Sequence, residues 1–162
     1  MCCLAATVEA ANALADALQA LTDLRSLDLT HFHSSAGGSL NIAAALPSFK
    51  RLERLEFSYC DLSPSAAMAL ASGLRTMTCL QVLHLNGNPI GDQGAHAVAH
   101  ALATLHALTH VSLACTHITL RGAEAVGTAL AGRDNIKQVV LMMNGLDRDH
   151  LSANLRKPWL IC

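Results

Sequence analysis

Three groupings in this chain have residue types and spacings that could do chemistry. Glu56, His84 and His110 combine a carboxylate with two imidazoles, the material of acid–base catalysis. His96 and His100 have the i, i+4 spacing that puts two imidazoles on one helix face, as metal-binding helices do. The third group is six cysteines: Cys2, Cys3, Cys60, Cys79, Cys115 and Cys162.

Each group also has a plainer reading. No Cys-x-x-Cys pair exists and the cysteine spacing fits no zinc motif, so reduced thiols are expected, some buried as small hydrophobes. No Glu stands between His96 and His100, which excludes the H-E-x-x-H pattern of zinc proteases. Glu56 and His84 can meet only if neighbouring strands bring them together, and an open sheet face makes such a pair a surface ion pair rather than a catalytic dyad. No metal and no cofactor are expected.

What positions these residues is a repeat. Leu52-Glu-Arg-Leu55-Glu-Phe57-Ser-Tyr-Cys60-Asp-Leu62 fits the pattern L-x-x-L-x-L-x-x-N/C-x-L. So do Leu80 to Ile90, with Asn88 at the Asn position, and Ile136 to Leu146, with Asn144 there. Leu108 to Ile118 fits apart from Thr116, and Leu24 to Ser34 is a weaker first copy with Phe32 at that place. The copies start at residues 24, 52, 80, 108 and 136, an unbroken period of 28. Ala-rich stretches follow at matching places: Ala11 to Leu18, Ser39 to Leu46, Ala67 to Leu74, Ala95 to Leu102 and Ala123 to Leu130. They read as helices. Gly38, Gly94 and Gly122 share a column just before them, with Ala10 and Ala66, where close backbone approach is expected. Leu21, Phe49, Met77 and Leu105 form an apolar column that Arg133 interrupts.

One unit of strand and helix cannot bury its own apolar side, so the units must stack. The expected fold is an α/β solenoid in a horseshoe arc, with about five parallel strands on the concave side and helices on the convex side. One domain is expected over residues 1–162. It divides into an N-terminal helix or partial repeat (1–23), repeats at 24–51, 52–79, 80–107 and 108–135, and a last repeat with cap (136–162). In that cap Pro158 ends the segment and Trp159-Leu160-Ile161 fold over the last layer.

These motifs, above all Asn88-Pro-Ile90-Gly91-Asp92-Gln93-Gly94-Ala95, resemble the ribonuclease-inhibitor-like class of leucine-rich repeats over about residues 4 to 150. That class includes ribonuclease inhibitors, the sensor arms of nucleotide-binding immune receptors and Ran GTPase-activating proteins. The even spacing is more similar to the last two. The resemblance implies a cytoplasmic, non-enzymatic module that binds another protein. The alternatives it leaves are a GTPase activator of the Ran type or a fragment of an immune-receptor-like sensor. No G-x-x-x-x-G-K-[ST] loop is present, and no acidic tail follows the repeats.

In such a fold the residues between the leucines line the open sheet face in columns. The first column is Ser26, Arg54, Val82, His110 and Gln138, and the second is Asp28, Glu56, His84, Ser112 and Val140. The third is Thr30, Ser58, Asn86, Ala114 and Met142, and the fourth is His31, Tyr59, Gly87, Cys115 and Met143. Folding does not dictate these positions, so their composition is freer to reflect use. Arg54, Glu56, Tyr59, His84, Asn86 and His110 are the expected partner-binding residues, Tyr and Arg being favoured at binding hot spots. Val140, Met142 and Met143 are expected either on this face or under the C-terminal tail. The equivalents of His96 are Asn12, Leu40, Met68 and Glu124, a mix that suits a solvated outer surface.

Composition agrees with a protein partner. Apolar residues make up 52% but aromatics only 3%, which suits many similar aliphatic layers. Charged residues are 14% and net charge is −1, so no field of one sign exists to hold nucleic acid or an anionic membrane. Gly94 to Leu120 lacks Asp, Glu, Lys and Arg, but its five histidines and the repeat argue against a membrane span. The N-terminus has no Lys or Arg before Arg25, and Glu9 and Asp16 interrupt its apolar run, so no secretory signal is expected. A small-molecule ligand is not expected.

Overall fold

The computed structural model describes residues 7–33, 42, 46–146, 151–152 and 155–162. Six short strands form one sheet: β1 (Ser26–Asp28), β2 (Arg54–Glu56), β3 (Val82–His84), β4 (His110–Ser112), β5 (Gln138–Val140) and β6 (Leu160–Ile161). Neighbours in the chain are neighbours in the sheet, and every pairing is parallel. The described helices are α1 (Val8–Gln19), α2 (Pro64–Leu74), α3 (Gly91–Leu102) and α4 (Leu120–Leu130), with a 3₁₀ turn at Leu46–Ser48.

Each strand sends its central residue inward because side chains alternate along a strand. Leu27, Leu55, Leu83, Val111 and Val139 are direct partners across the sheet and all are buried. Helix residues Leu70, Leu74, Val98, Leu102, Val126 and Leu130 cover them from the other side. Small residues let α2, α3 and α4 approach closely: a Cβ at Gly94 would lie 2.9 Å from the Cβ of Ala67.

The helix starts follow local chemistry. Thr7, Ser63 and Thr119 each accept a backbone N–H as N-cap. Helix α3 has no side-chain cap of its own. Instead its first-turn residue Asp92 reaches across to the start of α4.

The bend after each strand orphans backbone groups, and the asparagines collect them. Asn88 is fully buried; its Oδ1 accepts the N–H of Cys60 (2.9 Å) and Leu62 (3.1 Å). Its Nδ2 donates to the carbonyls of Phe57 (2.7 Å) and Leu85 (2.9 Å). Asn144 repeats the arrangement with Thr116, Ile118, Leu113 and Leu141. Thr116 and Cys60 reach carbonyls only through a hydroxyl or thiol, and Phe32 packs half-buried against the core instead. Among the described residues no buried side-chain N or O lacks a partner.

Several details depart from the sequence reading. Trp159 and Leu160 pack half-buried against the core, but the segment covers the last repeat as a sixth strand of the sheet: Val139 and Leu141 donate their N–H groups to the carbonyls of Trp159 (2.8 Å) and Ile161 (2.7 Å). An edge strand has unpaired backbone groups, and the tail satisfies them. Phe49, Met77 and Leu105 are buried, but Leu21 is 50% exposed. Arg133 at that column caps the preceding repeat, donating from Nη1 to Leu102 O (2.8 Å) and from Nη2 to Leu105 O. Most of the stretch from Ser39 to Leu46, with Gly38, lies outside the described residues, as do Cys2 and Cys3; Ile42 and Leu46 are buried. No helix among the described residues is long and apolar enough to cross a membrane.

Candidate protein-binding face

The parallel register places the first two columns side by side on the sheet face. Arg54, Val82, His110 and Gln138 are successive partners, as are Glu56, His84, Ser112 and Val140. Glu56 and His84 therefore meet, whereas Arg54 and His110 stand two strands apart.

Glu56 is the centre of the polar half. Its side chain is only 13% exposed. Oε1 accepts Nη2 of Arg54 at 2.6 Å, and Oε2 lies 2.8 Å from Nδ1 of His84. A carboxylate can only accept, so Nδ1 of His84 is the donor in this contact. Both oxygens are spent within the protein. The arrangement holds Arg54 and His84 in place.

Asn86 is more committed than expected. Its Oδ1 accepts Oγ–H of Ser112 (2.6 Å) and the N–H of Ala114 (2.9 Å), tying two repeats together and leaving Nδ2 as its spare donor. His110 is half-buried, with Nδ1 2.7 Å from Oγ1 of Thr109. Ser112 and Ser58, expected to face solvent, are buried. Their hydroxyls are consumed by Asn86, through its side chain and its N–H. Asp28 stays exposed, and the hydroxyl and N–H of Thr30 hold its carboxyl below the usual range.

The fourth column has a property no local motif announced. His31, Tyr59, Gly87, Cys115 and Met143 all have a left-handed backbone, with φ of 62°, 56°, 66°, 55° and 59°. Only glycine adopts this cheaply, so four of the five positions carry strain that the surrounding ladder must hold. Gly87 was the one visible signal. Its missing Cβ also admits the Tyr59 ring, whose Cδ1 would lie 2.2 Å from a Cβ there. Tyr59, 44% exposed, stacks on His31 with ring centroids 5.0 Å apart at 16°. Farther along, Sγ of Cys115 contacts Sδ of Met143 at 3.5 Å. Met143 is 79% exposed and Met142 is exposed too, so the tail does not cover them; it pairs alongside Val139 and Val140. The face thus runs from charged and aromatic at β1–β3 to thioether and aliphatic at β4–β5.

The other groupings sort differently. His96 and His100 are exposed on α3, away from the sheet. No group of three His, Cys, Asp or Glu side chains among the described residues is arranged to hold a metal. Cys60 is buried and desolvation pushes its thiol up to about 12; Cys79 is exposed.

The family model described as Leucine Rich repeat matches residues 52–71, 76–99 and 104–127. No curated protein sequence matches the chain. Among solved structures, the tropomodulin C-terminal domain of Caenorhabditis elegans superposes with a TM-score of 0.70 at 14% identity, covering 81% of this chain and 81% of that one. Leiomodin-1 actin-binding site 2 superposes with a TM-score of 0.63 at 14% identity, covering 77% of this chain and 75% of that one. At such identity the likeness is one of fold.

Proposed function

We propose that this chain, a leucine-rich-repeat protein, is a single-domain, non-enzymatic interaction module of the cytoplasm that binds a partner protein through its sheet face. The observation that carries this is the preordered surface around Glu56. A mostly covered carboxylate fixes Arg54 and His84, and the Tyr59–His31 stack stands beside them. None of these side chains fills the core. Rigid Tyr and Arg side chains lose little entropy on binding, which is why they dominate hot spots. Asn86 and His110 complete the face with one spare polar atom each, and no cofactor is needed.

We read the repeats as the even, ribonuclease-inhibitor-like kind, and the sheet face as the concave one. The test is pull-down or proximity labelling with the parent chain and with Arg54, Glu56 and His84 changed together to Ala, folding being checked by circular dichroism. Loss of the partner from the triple variant supports the face; unchanged recovery rejects it. Actin is a sensible first bait, because the leiomodin-1 structure is titled as an actin-binding site. Co-sedimentation with filaments that the triple variant abolishes would name the partner. Stimulated GTP hydrolysis by a Ran-like GTPase would instead favour the activator reading, and a flat response removes it.

A further inference from the structure

The sheet runs from β1 to β6, so each end of the array presents a strand edge and the side of one repeat. The two ends differ. At the C-terminal end Ile136, Val139 and Leu141 are buried, because β6 pairs along β5 and Leu146, Trp159 and Leu160 pack against the core. At the N-terminal end five apolar residues of α1 and the turn after it lie open. Ala10, Ala17 and Leu21 are exposed, and Leu14 and Leu24 are half-covered.

The 28-residue period says what covers such a surface. Leu14 corresponds to Leu70, Val98 and Val126, Leu24 to Leu52, Leu80 and Leu108, and Leu21 to Met77 and Leu105; these eight are at most 1% exposed. Ala10 corresponds to Gly94 and Gly122, and Ala17 to Gly73 and Ala101, all buried. In every later copy a preceding repeat lies on that side, close enough that a Cβ at Gly94 would meet the Cβ of Ala67. The backbone agrees. Glu53 and Arg54 donate their N–H groups to the carbonyl of Arg25 in the strand before, as Gln81 and Val82 do to Glu53. Arg25 and Ser26 hold the same place, and among the described residues no strand precedes them. The charged residues of α1 stand aside: Glu9 and Asp16 fall in the columns of Gln93 and His100, on the outer surface. The N-terminal end therefore continues the interface that already joins the repeats, with its second half missing.

We propose that this end docks a second copy of the chain, with α1 against α1 and the outer edge of β1 against its counterpart. The second copy supplies what the end lacks, an alanine-faced helix beside an open strand. Burial of Leu14, Leu21 and Leu24 drives the contact. The other end is covered by the chain's own tail, and β6, two residues long, is a poor template for a further strand. Each copy thus has one open end, and association closes at two about a two-fold axis. That axis runs the two β1 strands antiparallel and keeps both helix layers on one side of a continuous sheet. Arg54, Glu56 and His84 stay open in both copies, so the pair offers the face twice to a partner with repeated sites.

Sedimentation equilibrium of the full chain tests this, in reducing buffer so that exposed Cys79 cannot crosslink copies. Across a rising concentration series the mass is expected to climb from one chain toward two and stop there. Leu21→Glu sets an unpaired charge against an apolar surface and should weaken the pair by roughly ten-fold or more. If that variant melts earlier than the parent by circular dichroism, Ala17→Glu, at an exposed helix position, carries the same comparison. The mass of a single chain at every concentration would overturn the proposal and give this end to a different protein. So would a mass climbing past two copies, association that the glutamate variants leave unchanged, or association abolished by Met143→Glu on the sheet face instead.

Discussion

Replacing Asn88 with Ala removes one buried side chain that serves four backbone groups in two repeats: Cys60 N–H, Leu62 N–H, Phe57 C=O and Leu85 C=O. A buried polar group left unpaired costs about 1–3 kcal/mol. Ala leaves space that a water can enter and partly repair, so the low end applies, giving about 4 kcal/mol in total. In a chain of this size that is a fall in melting temperature of roughly 10 °C. Asn144 makes the same four bonds but is half-buried, so water reaches its partners and Asn144→Ala should cost about half as much. Urea unfolding followed by circular dichroism at 222 nm measures both (222 nm being roughly where helical peptide groups absorb). Equal losses for the two variants, or a loss for Asn88→Ala under about 1 kcal/mol, would refute the reasoning, because desolvation is what separates the two sites.

Three further outcomes follow from the same structure. Gly87→Ala forces a Cβ into a left-handed backbone and into the Tyr59 ring; a loss of about 1–2 kcal/mol is expected, with the His31 ring protons shifting in NMR as the stack opens. Unchanged His31 signals would contradict it. Asp92→Ala should cost about 1 kcal/mol at neutral pH by uncapping α4. Burial pushes the Asp92 carboxyl up, but the hydroxyl and N–H of Thr119, the N–H of Gly122 and nearby His96 together bring it below 3.8. Its stabilisation is therefore complete above the unfolded value and fades as pH falls through the folded one, so parent and variant melting curves should converge in acid. A gap independent of pH would exclude the carboxylate as the cause. Cys60, pushed up to about 12 by burial, has no thiolate at pH 8 (a value roughly at the lower edge of free-thiol ionisation). Iodoacetamide should label Cys79 in the folded protein and reach Cys60 only in urea, and equal rates would contradict the burial. The raised value also means that this thiol's contribution to stability is lost as pH rises above the unfolded value, where the unfolded chain ionises first.

The sequence by itself determined the layers. Leu27, Leu55, Leu83, Val111 and Val139 line up because a strand alternates its faces and a lone unit cannot bury its own apolar side. The asparagine positions were legible for the same reason, since a bend that repeats orphans the same backbone groups each time. Only the tertiary structure decided what meets across repeats. His84 turns to Glu56, Asp92 caps the next helix, Arg133 caps the repeat before it, and Leu160–Ile161 close the sheet edge. Periodicity reports which residues are covered, because burial is a property of one position. A hydrogen bond between stacked units depends on their separation and on backbone angles, such as the left-handed turn at His31, Tyr59, Cys115 and Met143, that those side chains do not prefer and only the packed array enforces.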